Sequence, residues 1–428
     1  MKNETAEKTL EFIRKSPSCF HAVGNIKEIL KENGFSELSE GERWKIEEGG
    51  RYFVTRNGSS ILSFVAPRRD FFGFRIAASH SDSPSFKIKE NPEMKGNGCV
   101  RLNVEKYGGM LMQPWFDRPL SIAGRAIVRK GPGAFDVEER LVSLKKNLVM
   151  IPNLAIHFAR DANDGRKINV QSEMMPVIAA GESFSLKKFI SEQCGIGEED
   201  ILGHDLFLSC SDDGVFWGAD DEFIASPRLD DLECAYTTLR GFIGACGKSG
   251  GRNALVHAVF DNEEVGSGTR QGADSTFLED TLRRINGALG RTDEDYNTAV
   301  ANSFLVSADN AHAVHPAYPD KSDPINRPRL NGGIVIKHNA AQKYTTDALS
   351  SSIFRRICAD AGIPTQTFTN NSNVAGGSTL GNISTAHVSA LSVDIGLAQW
   401  AMHSPFESAG SDDASYMARA TERFYAEQ

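Results

Sequence analysis

The chain has 428 residues, a net charge of −9 at pH 7, 40% hydrophobic and 24% charged residues, and 39 glycines. That length exceeds what one hydrophobic core serves, so two domains of unequal size are expected in an ordered globular protein. The acidic balance excludes a general nucleic-acid binder, which needs clustered Lys and Arg. No run reaches membrane-spanning length and residues 1–15 carry no signal-like apolar stretch, so a cytoplasmic protein with no nucleic-acid or membrane partner is expected.

In chain order, Val23, Ile26 and Leu30 recur at helical spacing after Pro17, and Asn33-Gly34 supplies a stop signal. Short β-prone runs follow at 52–55, 61–65 and 74–78, the last ending in His80-Ser81-Asp82-Ser83-Pro84, where Pro84 bars simple continuation of a central strand. From about 90 to 219 the texture is Gly-rich and Pro-punctuated, with β-like runs at 100–104 and 126–128, as expected of an inserted β-rich domain. Helix and apolar strand then alternate: helical 232–243, strands 254–260, 304–308 and 334–336, helical 348–358, strand 388–393. Such alternation predicts an α/β layer with a parallel or mixed sheet. Ser411-Asp412-Asp413 reads as the N-cap of a final helix carrying Met417, Ala420 and Phe424. The expected domains are therefore 1–90 with 220–428, and 91–219. Seven scattered cysteines without Cys-x-x-Cys spacing predict reduced, mostly buried thiols.

Ligands in such sheets collect beyond the carboxyl ends of strands, so the polar residues directly after apolar runs matter most. His80 follows 74–78, Glu263-Glu264 follow 254–260, Asp309 follows 304–308, and His403 comes after 388–393. Asp230 and Asp231 precede the helix at 232. Each has a plain alternative: a solvated turn for Glu263-Glu264, a helix cap for Asp230 and Asp231, a satisfied strand-end histidine for His80. Together they form the nitrogen-and-oxygen set that suits zinc, manganese or cobalt, and two ions about 3.5–4 Å apart sharing one carboxylate would use them all. In His80-Ser81-Asp82 the extended backbone puts residues 80 and 82 on one side, so Asp82 is expected to accept the second ring N–H of His80. His257, inside an apolar run, is assigned to the core.

The ordered segments His80-Ser81-Asp82-Ser83-Pro84, Arg228-Leu229-Asp230, Asp261-Asn262-Glu263-Glu264-Val265-Gly266-Ser267, Ser307-Ala308-Asp309 with Ala311-His312-Ala313-Val314-His315-Pro316, and Met402-His403-Ser404 resemble the M18 metalloaminopeptidases, the aspartyl aminopeptidase group, over essentially the whole chain. The resemblance implies a metallopeptidase-type α/β/α catalytic domain with an inserted β-rich dimerisation domain. It implies two Zn2+ per subunit, with Mn2+ or Co2+ able to substitute, held by His80, Asp230, Glu264, Asp309 and His403, with Asp230 bridging. Glu263 would be the general base, Asp82 its catalytic companion, and Asp231 the helix cap. Lys337 would receive an acidic side chain, His312 would lie near the same substrate pocket, and His157 would reach a neighbouring subunit's site. The implied substrates are peptides with N-terminal Asp or Glu, and the implied assembly is a homo-oligomer of dimers forming a dodecamer. Gly376-Gly377-Ser378-Thr379 resembles a loop near the family's site, while the preceding 370–375 stretch departs from it. A different two-metal hydrolase, a phosphatase or a broad-specificity aminopeptidase, is the alternative; the sequence has no Gly-rich phosphate loop and no basic stripe to favour a phosphatase.

Overall fold

The computed structural model describes residues 3–248, 250–374 and 376–427, so Ala375, at the end of the departing stretch, lies outside them. The chain divides into two compact units, one of Met1–Asp82, Gly214–Met402 and Glu407–Gln428, the other of Ser83–Asp213 with His403–Phe406. The first break falls at residue 83 and not at 91 because a strand, Ser85–Gly96, starts directly after Pro84 and pairs antiparallel with Cys99–Tyr107.

The larger unit is built on a nine-stranded sheet in the spatial order Ser36–Leu38, Arg51–Arg56, Ser60–Val65, Asn253–Phe260, Gly73–His80, Phe304–Ala308, Leu391–Gly396, Ile334–His338, Thr365–Thr369. Its four central strands, from Asn253–Phe260 to Leu391–Gly396, are mutually parallel. Both faces are covered. Along 253–260 alternate residues enter opposite cores: Leu255 and Val259 join Phe242, Met417 and Phe424 on one side, while Ala254, Val256, Ala258 and Phe260 join Phe277, Leu282 and Ile285 on the other. That explains a continuous apolar run where a half-buried strand would alternate. His257 is buried as expected, at 0% exposure. A second, five-stranded sheet orders Val215–Trp217, Phe223–Ser226, Glu407–Gly410, Ala398–Trp400 and Ala311–His312.

Two helix starts differ from expectation. The helix Leu229–Ala245 begins without a side-chain cap, and Asp230 and Asp231 within it have non-helical backbone angles. The last helix, Asp413–Ala426, has no side-chain cap from Asp412; the buried Asp413 carboxylate instead accepts the backbone N–H groups of Asn331 at 2.7 Å and Gly333 at 2.9 Å. A helix Glu4–Lys15 also opens the chain ahead of the expected Cys19–Glu32.

The smaller unit is a six-stranded sheet in the order Val137–Ser143, Leu120–Arg129, Ile201–Cys210, Ser85–Gly96, Cys99–Tyr107, Val177–Ala180. Its core gathers Phe86, Leu102, Trp115, Ile122 and Leu206, with the Phe86 and Trp115 rings edge-on at 5.3 Å. None of the seven cysteines forms a disulfide. No helix among the described residues is long and apolar enough to cross a membrane.

Candidate metal centre

The parallel strands bring their carboxyl ends to one edge: Phe260 is in register with His80, and Ser307 with Ala78, so the segments at 80–82, 261–264 and 309–310 emerge side by side. This is where the topology of a parallel sheet leaves room for a ligand.

His80 is 1% exposed. Its Nδ1 lies 3.0 Å from the backbone carbonyl oxygen of Asp82, and a carbonyl only accepts, so Nδ1 carries the proton. The Nε2 lone pair is then turned towards Asp230 Oδ1, 3.5 Å away, in the tautomer a metal needs. The expected partnership of His80 and Asp82 is present, with the Asp82 backbone as the closer acceptor and its carboxylate at 3.4 Å. That carboxylate has a second task. Its Oδ1 accepts the backbone N–H of Glu263 and its Oδ2 that of Glu264, each at 3.2 Å. The two acids sit on a single helical turn, Glu263–Val265, entered through Asn262 at φ 62, a left-handed conformation that Asn tolerates.

Asp231 is not a cap. It is fully buried and its Oδ2 accepts the backbone N–H of His80 at 3.1 Å, which fixes the end of the strand that carries His80. The peptide bond between Asp230 and Asp231 is cis. The backbone N–H of Asp230 is held by Glu407 Oε2 at 3.0 Å. Asp309 donates its N–H to the Ile395 carbonyl at 3.0 Å, and a Cβ on Gly396 would overlap the Asp309 carbonyl oxygen, so only glycine admits this loop.

His80, Asp230, Asp231 and Asp309 each offer a ligand atom, all within 4.8 Å of one another, and so do His80, Glu263 and Glu264. The electrostatics are those of unbalanced negative charge. Burial, then neighbouring carboxylates, push Asp231 and Glu264 well above the ordinary carboxylate range, and burial with Asp309, Asp82 and Asp230 pushes Glu263 up to about 8. Burial alone would lower the His80 imidazole, but Asp231, Asp230 and Asp82 outweigh it and hold it well above its usual value. A site that raises its acids and its imidazole together is short of positive charge, and a divalent cation on this nitrogen-and-oxygen set supplies it.

Other expected residues lie as follows. Lys337 is 2% exposed, and its Nζ donates to the carbonyls of Asp309 at 2.8 Å and Asn310 at 3.4 Å, with Asp309 Oδ2 at 3.6 Å. His312 is exposed, its ring 6.1 Å from that of Phe368. His403, at φ 67, accepts the Leu111 N–H at 3.1 Å, and His157 lies on an exposed stretch; both belong to the smaller unit. The sequence reading missed the roles of Asp231, Glu407 and Asn310. The adjacency of Asp230 and Asp231, matching that of Glu263 and Glu264, was the one available signal.

The sequence pattern of the family described as Aminopeptidase I zinc metalloprotease (M18) matches residues 12–425. A probable M18 family aminopeptidase 2 from Clostridium acetobutylicum is 46% identical over 99% of this chain and 100% of its own length, and one from Pseudomonas aeruginosa is 41% identical over 100% and 99%. Among solved structures, the M18 aminopeptidase of Thermotoga maritima superimposes with a TM-score of 0.84 at 25% identity, covering 98% of this chain and 95% of that one. The S. cerevisiae mApe1 dodecamer gives 0.86 at 26% identity, covering 99% and 96%. The chain thus belongs to the M18 family of zinc metalloaminopeptidases, hydrolases that remove the N-terminal residue of peptides.

Proposed function

We propose that this chain is a dinuclear-zinc aminopeptidase with a preference for N-terminal Asp or Glu. The observation that carries the metal reading is that two donor groups, each within 4.8 Å, share the buried His80. His80 and Asp309 would hold one ion, Glu264 and His403 the other, with Asp230 between them; His403 enters on its Met402-His403-Ser404 motif. Zinc bound there supplies a water acidified to a pKa of about 7 and an electrophile for the scissile carbonyl.

Glu263 performs the proton transfers. Its turn is held by Asp82, so its carboxylate takes a proton from the attacking water and returns it to the departing amine. Asp82 also keeps His80 in the tautomer whose Nε2 is free to ligate. An ammonium has three donors, and Lys337 spends two on the carbonyls of Asp309 and Asn310. The third is proposed to meet the carboxylate of an N-terminal Asp or Glu, with His312 beside the same pocket.

We also propose assembly through dimers into a dodecamer, in which His157 reaches a neighbour's site. The dodecameric mApe1 relative supports this, as do the bare apolar side chains of the smaller unit, Phe135 at 97% and Phe158 at 81% exposure.

Chelator-stripped protein resupplied with zinc, manganese or cobalt, assayed on aspartyl, glutamyl and leucyl anilides, tests the reading. Activity should return at two equivalents and favour the acidic anilides. Activity that survives stripping, or saturates at one equivalent, refutes the dinuclear site, and equal rates on all three anilides refute the preference.

A further inference from the structure

Asn310, next to Asp309 and 3% exposed, binds the helix that carries Asp230 through both ends of its side chain. Its Nδ2 donates to the Leu229 carbonyl at 3.1 Å and to Gln399 Oε1 at 2.9 Å, with Glu233 Oε2 at 3.4 Å sharing those hydrogens. Its Oδ1 accepts the Cys234 thiol at 3.1 Å. Three of these four partners, Leu229, Glu233 and Cys234, lie on the helix Leu229–Ala245, whose second residue is Asp230.

We propose that Asn310 is a positioning residue that sets the separation of Asp309 from Asp230. The proposal rests on the two-metal reading above. The two carboxylates sit on segments that follow different strands and are 79 positions apart in the chain, from 230 to 309. Covalent geometry does nothing to fix their distance, whereas carboxylate ligands of zinc must sit at about 2.0–2.2 Å from the ion. The Asn310 side chain closes that gap from within: one amide joins the residue after Asp309 to the residue before Asp230. On its other side the same loop is pinned by Lys337 through the Asp309 and Asn310 carbonyls. Replacing the amide removes the bonds to Leu229 and Gln399 at once, while those of Lys337 to the backbone remain, and leaves buried acceptors without donors, so the loop drifts by the tenths of an ångström that metal geometry does not tolerate.

The test compares parent, Asn310→Ala, Asn310→Ser and Gln399→Met, each stripped and titrated with zinc against a chelating indicator, then loaded with cobalt for its visible spectrum. Asn310→Ala should bind zinc at least tenfold more weakly, because the hydrogen bonds that tie the two ligand-bearing segments together are lost, and should shift the cobalt d–d bands. Gln399→Met, which removes one anchor only, should move both readouts the same way by less. A lowered unfolding midpoint with zinc affinity within twofold of the parent and an unshifted cobalt spectrum overturns the proposal and leaves the metal site standing. A parent that takes up fewer than two ions overturns both. Should Asn310→Ala not fold, Asn310→Ser and Gln399→Met are read by the same criteria.

Discussion

Asp82 accepts the backbone N–H of Glu263 at 3.2 Å, so the residue that fixes the His80 tautomer also fixes the proposed base. One residue therefore couples the two sides of the site, its backbone carbonyl holding the His80 ring and its carboxylate holding the Glu263-Glu264 turn. Asp82→Ala leaves two partly buried N–H groups, those of Glu263 and Glu264, without their acceptor, at a cost of about 1–3 kcal/mol each. We expect kcat to fall by about 100-fold or more with KM little changed, because the base is displaced and not deleted. Steady-state kinetics at saturating zinc decide it; a kcat within threefold of the parent would show that the turn holds itself.

Glu263→Gln separates proton transfer from metal binding. The amide keeps the shape of the side chain and removes its basicity, so the zinc content should match the parent while kcat falls by about 10²–10⁴-fold. Metal analysis beside turnover on an aspartyl anilide checks this. Undiminished turnover at full metal content removes Glu263 from the base role.

Much of this was legible in the sequence because strand ends are. At three of the apolar runs that stopped at polar residues, at His80, after Phe260 and at Asp309, the structure places those residues at the carboxyl-terminal edge of the parallel strands, whereas His403, expected after the 388–393 run, belongs to the smaller unit. The helix Glu4–Lys15 was hidden by its charges, although Ala6, Leu10 and Ile13 form its buried stripe and Asn3 accepts the Thr5 and Ala6 N–H groups. Asp231, Asp413 and Asn310 were illegible for a different reason. Each sits where a cap or turn former is common, and each is instead a buried acceptor or donor for a segment distant in the chain. Local preference and tertiary hydrogen bonding favour the same residue types, so composition alone does not separate them.

The approach of the Asp309 loop to Gly396 predicts an intolerant site. A methyl group at 396 would overlap the Asp309 carbonyl oxygen, which is also the acceptor of the Lys337 ammonium. Gly396→Ala should cost about 1–3 kcal/mol of stability, as overpacking does, and should weaken zinc binding at the same time. Denaturant midpoints and zinc titration are the measurements; a variant with parental stability and affinity would mean that the loop moves aside without cost.

Lys337 tests specificity. Its ammonium is buried against Asp309 and Asn310, 5.3 Å from the centre of the Tyr344 ring, and neighbouring Asp309, Tyr344 and Asp394 raise its pKa although burial opposes them, so it stays charged. Lys337→Ala should reduce kcat/KM on aspartyl and glutamyl anilides at least tenfold more than on leucyl anilide. Equal losses on all three would assign Lys337 to holding the Asp309 loop alone.

His257 gives a pH dependence that is independent of the metal. Thr238 Oγ1 donates to the Cys234 carbonyl at 2.6 Å, so at 3.0 Å it accepts from His257 Nε2–H. The ring is fully buried beside Phe242, at 5.7 Å between centroids, and burial pushes its pKa down to about 3. The folded value lies below the unfolded one of about 6.5, so the unfolded chain binds the extra proton first as the pH drops. The contribution of neutral His257 is complete above pH 6.5 and is lost towards pH 3, by up to about 1.4 kcal/mol per pH unit. Urea unfolding of stripped parent and stripped His257→Leu at pH 7, 6, 5 and 4.5 measures it, because the carboxylates of the metal centre titrate in both and cancel in the difference. The parent should lose stability faster than the variant below pH 6, and parallel profiles would mean that the imidazole takes up its proton without leaving the folded core.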